Sequence, residues 1–173
     1  SIINLKNSSY DIEAVIELSG RHNQGVIACQ GGNMAGWSLY LDEAGKPSFA
    51  YNWFGHETTV VASTLPLGQG AYRIKLHYEH DGGFGKGGMA TLMVNGVLAA
   101  QGRIEQTVPV VFSMSGETFD VGRDTGSAVG PYPHDFKFQD KIIGVTLERL
   151  SRKDKQVLEA ENKGKFKAGL STQ

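Results

Sequence analysis

The segment Asp120-Val121-Gly122-Arg123-Asp124-Thr125 puts two carboxylates and a guanidinium within five residues. Two such acids suit a hard cation such as Ca²⁺, which takes roughly six to eight oxygen ligands. Asp120 and Asp124, joined by Asp81 or by loop carbonyls, therefore form a candidate Ca²⁺ site. The competing reading pairs Arg123 with its neighbouring acids, which would satisfy the same groups by charge-assisted hydrogen bonds. Asp81 opens a second polar loop, Asp81-Gly82-Gly83-Phe84-Gly85-Lys86-Gly87-Gly88. Its Gly-Lys is followed by glycine and a strand rather than by Ser/Thr and a helix, so a hairpin connection is expected there, not a phosphate cradle.

Acid–base chemistry finds little support. Glu79-His80-Asp81 approaches the E-x-D-x-x-E strand of laminarinase-like hydrolases, but Phe84 stands where the last acid is needed. Asp11, Glu13 and Glu17 share one face of an alternating run, which marks a solvated face more often than a carboxylate groove. His77 and His80 have an H-x-x-H spacing, yet on a strand i and i+3 point to opposite faces and cannot share an ion without a bend. His22 and His134 are scattered in expected loops. No catalytic residue emerges. Aromatic rings could instead stack on sugars: Trp37, Tyr51 and Trp53 fall on the apolar sides of their runs and belong to the core by default, whereas Phe54 and Tyr132 sit beside turn residues. Phe54, Tyr132 and His56 are thus the candidate ligand contacts.

The elements that must position these groups show a period of two. Ile12, Ala14, Ile16 and Leu18 alternate with Asp11, Glu13, Val15 and Glu17; Tyr72, Ile74, Leu76 and Tyr78 alternate with Arg73, Lys75, His77 and Glu79. Runs at 37–42 and 48–53 behave alike, and further strands are expected at about 24–30, 58–63, 90–94, 97–104, 110–114, 118–122 and 136–149. Each has one dry and one wet face, the mark of half-buried antiparallel strands. Asn95-Gly96 is a strong hairpin signal. Many short strands separated by turns, with no helical period, specify an all-β two-sheet antiparallel sandwich over 1–150. Residues 151–173 carry six Lys/Arg against three acids. Ser151 and Asp154 approximate a capping box, so this basic C-terminal extension is expected to be a short helix, over about 152–163, or flexible.

The chain has 173 residues, enough for one domain and one real core. Glycine, 23 residues, is about 13% against a usual ~7%, which fits many turns. A formal charge of −1 argues against non-specific nucleic-acid binding, and no apolar run is long enough for a membrane helix. Ser1 without an initiator Met suggests a processed or excised boundary. A single Cys29 excludes an intramolecular disulfide but leaves the compartment open.

Several segments in register resemble the C-terminal domain of large bacterial arylsulfatases: GG at 31–32, GWSLYL at 36–41, YNWFG at 51–55, DGGFGKGG at 81–88, TLMVNG at 91–96, GRIEQTVP at 102–109 and ETFDVGRDTGSAV at 117–129. The resemblance covers roughly residues 5–150. It implies a concanavalin-like jelly roll, related in architecture to laminin-G modules and legume lectins, some of which hold rim calcium. It also implies a sulfatase catalytic domain as partner, in cis or in trans. The nucleophile motif C-x-P-x-R or S-x-P-x-R of such a catalytic domain is absent: Gln30-Gly31-Gly32-Asn33 follow Cys29. The resemblance thus implies a non-catalytic accessory domain, with a glycan-binding module as the alternative.

Overall fold

A computed structural model describes residues 9–21, 23–31, 35–53, 57–82, 86–106, 119–124, 128–133, 135–150 and 155–160. Eleven strands run in chain order: β1 (Ser9–Leu18), β2 (Gly25–Gly31), β3 (Ala35–Leu41), β4 (Pro47–Trp53), β5 (Glu57–Ala62), β6 (Gly70–His80), β7 (Lys86–Val94), β8 (Val97–Gln106), β9 (Phe119–Val121), β10 (Lys141–Leu150) and β11 (Lys155–Ala160). They form a six-stranded sheet, β11-β10-β1-β6-β7-β8, and a five-stranded sheet, β5-β4-β3-β2-β9. Every named strand pair is antiparallel. The molecule is therefore the all-β two-sheet sandwich that the alternation predicts, with the jelly-roll architecture that the resemblance implies. No helix among the described residues is long and apolar enough to cross a membrane.

The dry faces meet as the pattern requires. Ile12, Ala14, Ile16, Ile74, Leu76, Leu92 and Leu147 from the larger sheet oppose Trp37, Leu39, Leu41, Phe49 and Val61 from the smaller one in a single buried cluster. Each large aliphatic or aromatic side chain fully removed from water contributes roughly 1.5–3 kcal/mol. Trp37 and Tyr51 are in this core, as expected from their strand positions. The Trp37 indole donates to Gln30 Oε1 at 3.2 Å, which satisfies its buried N–H. At the β7–β8 hairpin, Asn95 and Gly96 both take positive φ, 51° and 79°, the conformation a two-residue turn of this type needs.

Two expectations fare differently. Within the span expected as a helix, the described residues Lys155–Ala160 form β11, whose Leu158 and Val157 register opposite Leu147 and Glu148 of β10. The physical reason lies in both partners. A helix this short with an apolar stripe of Val157, Leu158 and Ala160 is marginal alone, whereas the outer edge of β10 offers a row of open backbone donors and acceptors. In addition, Phe136 and Phe138 belong to a separate crossing segment, and β10 itself begins only at Lys141. The strand expected at 110–114 lies outside the described residues.

Candidate functional site: a strapped, aromatic-walled cleft

The two outer faces of the sandwich differ. On the six-stranded sheet the wet residues pair across strands. Arg73 contacts Glu13 at 2.8 Å, Lys75 reaches Asp11 at 3.7 Å, and His77 sits between Asp11 (2.5 Å) and Glu79 (3.2 Å). The acids of β1 thus form the solvated face anticipated above rather than a groove. His80 does not join His77. Its Nδ1 accepts the Gly82 N–H at 3.0 Å.

The outer face of the five-stranded sheet is instead crossed by a strap, whose described residues are 122–124, 128–133 and 135–140. It is sewn to β2 by two main-chain bonds, Gly122 N–H to Ile27 O at 2.9 Å and Val26 N–H to Phe136 O at 2.8 Å, and to itself by Phe138 N–H to Gly122 O at 2.8 Å. The crossing is so close that a Cβ on Gly25, whose φ is +121°, would run into the backbone of Lys137 and Phe138. Only glycine tolerates both conditions. Beneath the strap lies a second, smaller buried cluster of Val26, Cys29, Tyr40, Ala50 and Phe136, with half-buried Tyr132 packed on it. Tyr132 stacks on Phe136 (centroids 5.2 Å, 19°) and meets Tyr40 edge-on (5.0 Å, 67°).

One carboxylate organises this packing. Asp124 is fully buried. Its Oδ2 accepts the Val129 N–H at 2.9 Å and the Tyr132 hydroxyl at 2.7 Å. Tyr132 Oη also lies 2.9 Å from Ser38 Oγ on β3. The strap is therefore tied to itself and to the sheet through one side chain. Burial is the main influence on the Asp124 carboxyl and raises its pKa. Burial, reinforced by Asp124 and Asp120, pushes the Cys29 thiol far up, so Cys29 is no nucleophile at neutral pH. Arg123 pairs with Asp135 at 3.3 Å.

The sequence-selected residues can now be placed. Asp120 and Asp124 are brought together, with ligand atoms within 4.8 Å of each other and of Cys29 Sγ. Asp81 is not with them. It lies in the β6–β7 connection and forms a two-pronged pair with Arg103, which holds its carboxyl below the usual range. The donors at the Asp120–Asp124 cluster are two carboxylates and a thiol, and one Asp124 oxygen already accepts two hydrogen bonds. A hard ion that wants six to eight oxygens fits this set poorly. Phe54 and His56 lie outside the described residues. Tyr132 is half-buried, its hydroxyl engaged and its ring part of a wall.

That wall borders a cleft of about 430 Å³ on the same face. Tyr40, Tyr132 and Phe136 supply its aromatic side, Val60, Ala62 and Pro131 its apolar rim, and Asp42, Glu43 and Ser48 its polar groups. Asp42 Oδ1 accepts from Ala44 N–H and Lys46 N–H, both at 2.9 Å, and so shapes the β3–β4 turn that forms one lip. The Tyr40 hydroxyl, bonded to Ser48, is pushed up to about 12, chiefly by burial and secondarily by Asp42. Sequence reasoning missed Tyr40, Asp42, Glu43, Ser48 and Phe136. One signal was available: Tyr40 falls on the wet side of the 37–42 run, between Ser38 and Asp42, where a large aromatic ring needs something to cover it.

No protein-family model matches the chain, and no curated protein does. Solved structures are similar in fold. The mouse laminin α1 chain, domains LG4-5, superimposes with a TM-score of 0.57 at 14% identity, covering 91% of this chain and 42% of that one. The CBM40 domain of the Ruminococcus gnavus IT-sialidase gives 0.55 at 14% identity, covering 84% and 79%. The same domain bound to α2,3 sialyllactose gives 0.54 at 14% identity with the same coverage. The fold is thus that of laminin-G-like and concanavalin-like sandwiches. Identities this low speak for architecture alone.

Proposed function

We propose that this chain is a non-catalytic carbohydrate-binding sandwich domain and that the strapped face of its five-stranded sheet carries the glycan. The observation behind this reading is the cleft. It is concave, walled by tyrosine and phenylalanine, and supplied with a few fixed polar groups, the combination expected of a site for a partly apolar, hydroxyl-rich ligand. The similarity to a sialidase's CBM40 domain supports the same reading by analogy of fold. Of the two acids among the described lining residues, Asp42 is occupied in holding its turn.

The resemblance of segments 31–129 to arylsulfatase C-terminal domains adds a setting. In it the sandwich sits beside a separate sulfatase catalytic domain and holds or shapes that enzyme's substrate. This setting rests on the sequence resemblance alone. A glycan array probed with the labelled chain tests the binding reading. Reproducible capture of one glycan class supports it, and a blank array contradicts it. Hydrolysis of an aryl sulfate by the purified chain would contradict its non-catalytic character.

A further inference from the structure

Resting on that reading, we infer that the cleft selects uncharged glycans and discriminates against carboxylated or sulfated ones. The argument is electrostatic. Among the described residues, the charged side chains lining the cleft are Asp42 and Glu43. Both acids belong to the β3–β4 turn, and the Asp42 carboxylate is fixed there by two backbone N–H groups. An anionic sugar entering beside them meets the like charge of both carboxylates. A neutral sugar meets hydroxyl-accepting carboxylates, which form stronger hydrogen bonds than neutral acceptors do. Exclusion by unpaired like charge is an efficient route to specificity, because it penalises the wrong ligand without weakening the right one. On the larger sheet, by contrast, Asp11 and Glu13 are matched by Arg73, Lys75 and His77.

The experiment is a set of matched titrations. Neutral oligosaccharides found on the array, and lactose in any case, are titrated calorimetrically beside their sialylated and sulfated counterparts. The neutral member of each pair should bind at least about tenfold more tightly at low salt, a ratio within reach of one or two poorly screened like-charge contacts. Glu43→Gln and Asp42→Asn should each narrow the ratio by strengthening the anionic member. Added salt should narrow it too, by screening. Equal or tighter binding of the sialylated or sulfated member overturns this inference while leaving the glycan-binding reading intact. A ratio unmoved by both substitutions and by salt also overturns it, since selection would then come from shape. Absence of binding by every glycan overturns the reading itself, and the selectivity with it.

Discussion

The outer face of the six-stranded sheet and the outer face of the five-stranded sheet start from the same alternation but finish differently. On the first, wet residues stay wet and pair with one another across strands, as Arg73 does with Glu13. On the second, Ser38, Tyr40, Ala50 and Cys29 occupy the nominally wet positions and are buried beneath the strap, with Tyr132 and Phe136 packed against them. The lesson is that a half-buried strand pattern fixes which side chains share a face, not whether that face is left open. Where a second layer covers it, apolar side chains and the buried Asp124 replace the charge ladder, and a cleft opens at the border between covered and uncovered surface.

This contrast has measurable consequences. Asp124→Ala should be the most damaging polar substitution in the molecule. It removes the carboxylate acceptor of the Tyr132 hydroxyl, strands the Val129 N–H and unties the strap, at a cost of about 3 kcal/mol. Thermal unfolding should record this as a fall of roughly 6–12 °C for a chain of this length. The same residue should shape the pH dependence of stability. Its carboxyl is raised in the folded state, chiefly by burial. Between the unfolded and folded pKa the folded chain therefore holds more of the proton than the unfolded chain does. The contribution of Asp124 to stability is then greatest below the unfolded pKa and falls as pH rises through that window. Asp124→Asn should remove that slope, which denaturant titrations across the acid range would detect. Tyr132→Phe, which deletes one hydroxyl and keeps the ring against Tyr40 and Phe136, should cost about 1 kcal/mol. On the opposite face, Glu13→Ala and Arg73→Ala should each change stability by no more than about 0.5 kcal/mol. Comparable losses on both faces would erase the distinction drawn between them.

The sandwich itself was legible because alternation is a local property. β1 and β6 announce their dry and wet sides residue by residue, and Asn95-Gly96 names its own turn. The strap was not legible. Its one short alternating stretch, Phe136 to Gln139, reads as the start of the following strand, and what holds the strap in place is long-range: Asp124 with Ser38 through Tyr132, Gly25 under Lys137. Asp124 could be picked out as chemically important, but its role as the organiser of a buried hydrogen-bond cluster depends on side chains from three separate stretches. Asp81 and Asp120 could be drawn as one site on paper. Folding puts Asp81 in the connection between two strands of the larger sheet and Asp120 on β9 of the smaller one. The short C-terminal segment was misjudged because its charge pattern suits a helix cap, while the deciding influence is the open edge of β10.

The most direct test of the account is to locate a bound sugar on the isotopically labelled chain. Amide chemical shifts, followed during titration with a neutral oligosaccharide selected from the array, should move at Tyr40, Ala44, Val60 and Tyr132, and Val60→Arg should abolish those changes while the protein stays folded. Shifts gathered instead at Lys75, Thr91 and Gln101 on the opposite face, or left unaltered by Val60→Arg, would contradict it.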